Sequence, residues 1–174
     1  MQATLDSAAA AARDEAARTP KQYLRFRLGK DLFAVGIDAV REILQVGAMT
    51  ALPLMPALVR GVMNLRGAVV PVIDLAARLG LPTAHLGRRS CIVIVEIADP
   101  VDGQAHTVGV LVDAVYEVFE TVSLEGVPAF GTPIDPDYIA GMARQDGGVV
   151  AVLAFERALA QDDLARLVAS HTEH

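Results

Sequence analysis

Few residues of this chain have the type and spacing that chemistry needs, and each such set argues against a reaction. His171 and His174 stand one helical turn apart and could share a metal, but they sit at the end of the sequence, where fraying opposes a preformed site. His85 and His106 have no Cys or carboxylate partner at ligand spacing, so no metal site is expected. Ser7, Ser90, Ser123 and Ser170 all lack the Gly-x-Ser-x-Gly setting that presents a strained nucleophile. Asp135 with Asp137, and Asp162 with Asp163, read as turn and helix-surface acids, not as a matched acid and base. Neither a phosphate-cradling glycine loop nor a dinucleotide fingerprint occurs. No catalytic residue and no cofactor is expected. Cys91, the one cysteine, lies in Cys91-Ile92-Val93-Ile94-Val95 and reads as a small core residue. Alone it can form no internal disulfide, which suits a reducing compartment.

Two charged residues stand out within apolar β segments. Glu42 lies in Val40-Arg41-Glu42-Ile43, and Arg66 at the reversal Asn64-Leu65-Arg66-Gly67. Spacing alone leaves two readings open: an exposed glutamate and a turn arginine, or a partly buried pair whose members need each other.

The elements that would position these residues are mostly strands. Residues 1–20 are Ala-rich and helix-prone, with little apolar surface, so they are expected to form a flexible arm. After Pro20, Leu24, Phe26 and Leu28 alternate with Tyr23, Arg25 and Arg27 as a half-buried strand requires. Gly29-Lys30-Asp31 turns into Leu32-Phe33-Ala34-Val35, and such antiparallel pairing argues against a nucleotide-binding α/β fold. Asp38 to Leu44 fits either one helical turn or an extended segment. Gly61 to Leu75 reads as a hairpin reversing at Arg66-Gly67, with Pro71 placing its strand at an edge or bulge. Asp74 can cap a short helix from Leu75 to Leu79, closed by Gly80.

Further strands are expected at Cys91 to Ile97, His106 to Val112, Val115 to Val122, Tyr138 to Arg144 and Val149 to Phe155, with polar loops at Asp99 to Gly103 and Pro128 to Asp137. Residues 156–174 have helical spacing at Leu159, Leu164, Leu167 and Val168, ending in a frayed tail. No internal repeat is visible. Many short strands with a terminal helix suit small barrels.

Composition limits the partners. With 53% apolar and 21% charged residues the chain has a real core to bury, and with 5% aromatic residues that core should be aliphatic. A net charge of -6 repels phosphate backbones and anionic lipid, so no nucleic acid is expected. The sequence opens on no basic segment followed by an apolar core, and no apolar run nears the roughly 18 residues that span a bilayer. The expected location is the cytoplasm, with no direct membrane insertion.

The order of motifs resembles the CheW family over about residues 21–160. The matching segments are Phe33 to Asp38 followed by Val40-Arg41-Glu42-Ile43, Gly61 to Leu75, Val108 to Val115, and Ile139-Ala140-Gly141-Met142-Ala143. The resemblance implies a mainly β fold of two SH3-like five-stranded barrel subdomains, intertwined and packed together, with short helices. It implies a non-catalytic adaptor that binds the regulatory domain of the histidine kinase CheA and holds the cytoplasmic tip of a chemoreceptor in a groove between the barrels. It places Glu42 and Arg66 at interacting acidic and basic positions, which favours the pair. It puts Ile43, Val108, Gly109, Val112 and Val115 near the receptor groove, each with barrel core as its plain alternative. Two other functions stay open: an adaptor of a non-flagellar chemosensory system, for pilus motility or biofilm control, and a small ligand-binding barrel or enzyme with a polar-lined pocket.

Overall fold

The computed structural model describes residues 19–51, 53, 58–82, 86–98, 103–127, 134–145 and 147–159. The expected arm before Thr19, the helix beyond Leu159, His85, His171, His174, Asp162 and Asp163 lie outside the described residues, as does most of the two polar loops. Among the described residues ten strands make two sheets. They are β1 (Lys21–Leu28), β2 (Asp31–Gly36), β3 (Val40–Gln45), β4 (Val59–Leu65), β5 (Ala68–Asp74), β6 (Cys91–Ala98), β7 (Ala105–Val112), β8 (Ala114–Thr121), β9 (Ile139–Gln145) and β10 (Gly148–Leu153). Helices α1 (Leu75–Arg78) and α2 (Phe155–Ala158) follow β5 and β10, and 3-10 turns at Ile37–Ala39 and Pro136–Tyr138 lead into β3 and β9. Asp38 thus belongs to a helical turn and Val40 onward to a strand.

The first sheet runs β8-β1-β2-β10-β9 and the second β3-β6-β7-β5-β4. The second is continuous in sequence, while the first is closed around it by strands from both ends of the chain. The two sheets are nevertheless the same unit. Strands β6-β7, β5-β4 and β3 correspond to β1-β2, β10-β9 and β8, and each sheet has one parallel pairing in the same register, Val72 against Gly109 and Val152 against Ala34. The run Val59–Arg78 matches Ile139–Ala158 without a gap: Gly61 with Gly141, Gly67 with Gly147, Val69, Val70 and Val72 with Val149, Val150 and Val152. This corrects the expectation of no repeat. The match is hidden because only two glycines and three valines of each run persist at these places, and because β1-β2 precede the unit they complete.

Pro71 also departs from expectation. Strand β5 is interior, between β7 and β4, but Pro71 falls just before the stretch Val72–Asp74 that pairs with β7, so its missing donor lies outside that short parallel ladder.

The inner strands of each sheet are covered on both faces where the sheets meet. One apolar cluster fills the first barrel (Tyr23, Ala34, Phe119, Ala143, Val150, Val152) and another the second (Val70, Val72, Ile92, Ile94, Leu111). The largest joins the sheets, with Leu24, Phe26, Leu28, Phe33 and Val35 from one and Ile73, Val93, Val95, Val108, Val110 and Val112 from the other. Tyr23 is accordingly buried, stacked on Phe119 at 5.7 Å, although alternation made it the outer residue of β1. The aliphatic core expected from composition holds three phenylalanines at its centre, Phe26, Phe33 and Phe155.

Candidate functional site

Glu42 and Arg66 meet where the second sheet curls onto itself. Strand β3 and the β4–β5 hairpin lie at opposite edges of that sheet, yet Thr50 and Val62 exchange two backbone hydrogen bonds of 2.9 Å across the gap. Arg66 Nη2 donates to Glu42 Oε1 at 2.7 Å over the same seam. A bulge between Val40 and Glu42 sets the geometry: it turns Glu42 to the side of Leu44, which packs on the barrel interior, while Val40 packs on the core between the sheets. The pair is more open than a partly buried one, with the Arg66 side chain 72% and that of Glu42 28% exposed. Such a pair contributes about 0–1 kcal/mol to folding, and most of its charge faces solvent.

The backbone under Arg66 is strained. Arg66 has φ 52° and Gly67 φ 87°, the two positive angles of a tight type I′ hairpin, and Asn64 Oδ1 accepts from the Gly67 N–H at 2.9 Å. Glycine would fit position 66 better by about 1 kcal/mol. Arg66→Gly is therefore expected to match or exceed the parent in urea unfolding. A less stable Arg66→Gly protein would show that the guanidinium, not the backbone, governs this turn.

Of the five aliphatic positions, the structure brings Ile43 and Val115 to the surface and keeps the others inside. Ile43 is 41% exposed on edge strand β3, and Val115 on edge strand β8 is half-buried against the core between the sheets. Val40 and Val115 occupy equivalent places in the two sheets, as do Ile43 and Val118, the latter 44% exposed. Val108 and Val112 are buried in the shared core, the plain alternative for each. Gly109 is also internal: a Cβ there would stand 2.7 Å from Ile92 Cγ2, so its smallness serves β6 and not an incoming helix. The sequence of β7 hides this difference, because its run Val108–Val112 is apolar throughout, as a strand covered on both faces is.

Sequence reasoning missed two arginines that hold the frame. Asp74 is fully buried; its Oδ1 caps α1 by accepting from Ala77 N–H at 3.2 Å, and Oδ2 lies 3.5 Å from Arg60 Nη1. Arg78 ties the subdomains together: its Nε donates to Ala158 O at 2.7 Å, Nη2 to the Tyr138 hydroxyl at 3.0 Å, and its guanidinium lies 5.1 Å from that ring's centroid. The signal was available for the cap, in Asp74 before the helical run, but not for partners so far along the chain.

Burial pushes the Cys91 thiol up, away from the reactive thiolate. Among the described residues no group of three or more His, Cys, Asp and Glu could hold a metal, and no helix is long and apolar enough to cross a membrane.

Comparison with known proteins agrees with this architecture. The family model described as CheW-like domain matches residues 22–163. A probable chemotaxis protein CheW of Rhizobium etli is 33% identical over 138 residues, covering 78% of this chain and 85% of its own. The chemotaxis protein CheW of Treponema pallidum is 31% identical, covering 84% and 86%. The crystal structure of the scaffolding protein CheW from Thermoanaerobacter tengcongensis superposes with a TM-score of 0.71 at 32% identity, over 83% of this chain and 90% of that one. The chain belongs to the CheW-like domain family.

Proposed function

We propose that this protein is a non-catalytic cytoplasmic adaptor of chemotaxis signalling, coupling the cytoplasmic tip of a chemoreceptor to the regulatory domain of the histidine kinase CheA. The observation that carries the reading is the displayed Glu42–Arg66 pair at the seam of a CheW-like barrel. Edge strands β3 and β8 add half-buried Val40 and Val115 and exposed Ile43 at the rim of the core between the sheets, a surface suited to the apolar face of a receptor helix. Val108, Gly109 and Val112 would act beneath that rim, by fixing the position of β7.

Reconstitution of receptor, kinase and adaptor tests this. Arg66→Glu and Glu42→Arg should each weaken kinase coupling by on the order of tenfold, about 1.4 kcal/mol. The double reversal should recover part of that loss, because opposite charges again face each other. Two single variants that couple normally would remove the pair from the interface, and absence of binding to any kinase or receptor would end the adaptor reading.

A further inference from the structure

On the side of the molecule formed by the β1–β2 turn and the start of β6, a cleft of about 670 Å³ opens between the two subdomains. Leu28, Ala76, Leu81 and Pro82 line it with apolar surface, and Arg27, Lys30, Arg88 and Arg89 supply four cations against the two carboxylates Asp31 and Asp113. Neither Glu42 nor Arg66 nor any of the groove positions takes part.

The cations stand on two turns that are clamped. Arg88-Arg89 is held by a reciprocal bridge, Gly87 N–H to Ser90 Oγ at 2.8 Å and Ser90 N–H to Gly87 O at 3.2 Å, with Ser90 itself 4% exposed. Across the cleft, Asp113 Oδ2 accepts from Gly29 N–H, Asp113 N–H donates to Arg27 O at 3.0 Å, and Arg27 Nη1 reaches Gly29 O at 2.9 Å. Among the described residues Lys30, Arg88 and Arg89 carry no ion pair, in a chain of net charge -6 where carboxylates are plentiful. Asp113 Oδ1 is buried without a hydrogen-bond partner among the described residues.

From this we infer that the cleft docks an acidic peptide segment of a partner protein. Carboxylates of the segment would meet the arginine turn, where fixed geometry lowers the entropy of forming the contacts. An apolar side chain between them would cover the floor formed by Leu28, Ala76, Leu81 and Pro82. A bare anion meets only the first of these two features, which is why a peptide fits better than a phosphate. The overall negative charge of the chain repels acidic segments elsewhere and leaves this patch selective.

The test titrates the full chain with a dye-labelled peptide of alternating glutamate and leucine, read by fluorescence anisotropy and by amide chemical shifts. Saturable binding is expected, centred on Gly29, Lys30, Ala76 and Ser90, and weakening as salt is raised. The double variant Arg88→Glu with Arg89→Glu should bind at least about tenfold more weakly while melting like the parent, since both side chains belong to an exposed turn. Arg66→Glu should bind the peptide as the parent does, which separates this site from the coupling pair. No saturable binding, shifts confined to the Arg66 seam, equal binding of a lysine and leucine peptide, or full competition by inorganic phosphate would each overturn the proposal.

Discussion

Phe26→Ala should cost about 3–5 kcal/mol, a large part of the 5–15 kcal/mol typical of a folded domain. Phe26 is 0% exposed and lies at the centre of the cluster that joins the two sheets, 6.1 Å from the Phe33 ring and 5.9 Å, edge to face, from Phe155. Phe33 lies inside β2 and Phe155 opens α2, so the two partners come from opposite ends of the fold's sequence. The void left by truncation could not collapse without separating the sheets. Each barrel's own interior cluster is smaller than the one they share, so neither subdomain holds a sufficient core alone. Both should therefore unfold together. Urea unfolding followed by far-ultraviolet circular dichroism and by resolved amide signals from each sheet should give one transition, shifted strongly in Phe26→Ala. A loss below about 1 kcal/mol, or two separated transitions, would contradict a common core.

Much of this arrangement was legible in the sequence. The turns at Gly29 and Gly67, the capped helix after Asp74, and the hairpins through β5 all follow local chemistry: positive φ at glycine and a carboxylate ahead of free amides. Less legible was what lies on each side of a strand. Period-two alternation identifies two faces but names only one as buried, and here one face meets the barrel interior and the other the second barrel, so alternation makes Tyr23 the outer residue of β1 although it is buried. The Glu42–Arg66 contact required the bulge at Val40, which shifts every later residue of β3 to the opposite face and which no composition rule predicts. Arg78 reaches a carbonyl supplied by Ala158, and its partner could be known only once β10 had been placed beside β2.

Gly61→Ala is expected to open the seam that carries the Glu42–Arg66 pair. A Cβ at Gly61 would stand 2.6 Å from Thr50 O and 3.0 Å from its carbonyl carbon, and both are backbone atoms with little freedom to yield. Thr50 is held there by its two hydrogen bonds to Val62, so the methyl group and those bonds cannot coexist. Overpacking of about 1–3 kcal/mol plus roughly 1 kcal/mol for each weakened hydrogen bond gives an expected cost of about 2–4 kcal/mol. Gly67→Ala, at φ 87° with nothing within 4 Å, should cost only about 1 kcal/mol of backbone strain. The equivalent Gly141→Ala provides the sharper contrast, because its Cβ would stand 2.6 Å from Leu124 Cβ and so disturb the other barrel by a similar amount. If coupling follows total stability, the two alanine variants should lose it alike. If coupling follows the Glu42–Arg66 seam, Gly61→Ala should lose far more at temperatures where both remain folded, and the Thr50 and Val62 amides should exchange faster in that variant alone. Normal exchange at those two amides in Gly61→Ala would show that the seam tolerates the methyl group. The displayed pair would then owe its position to strand β3 and the Arg66 turn, with no help from the closure of the sheet.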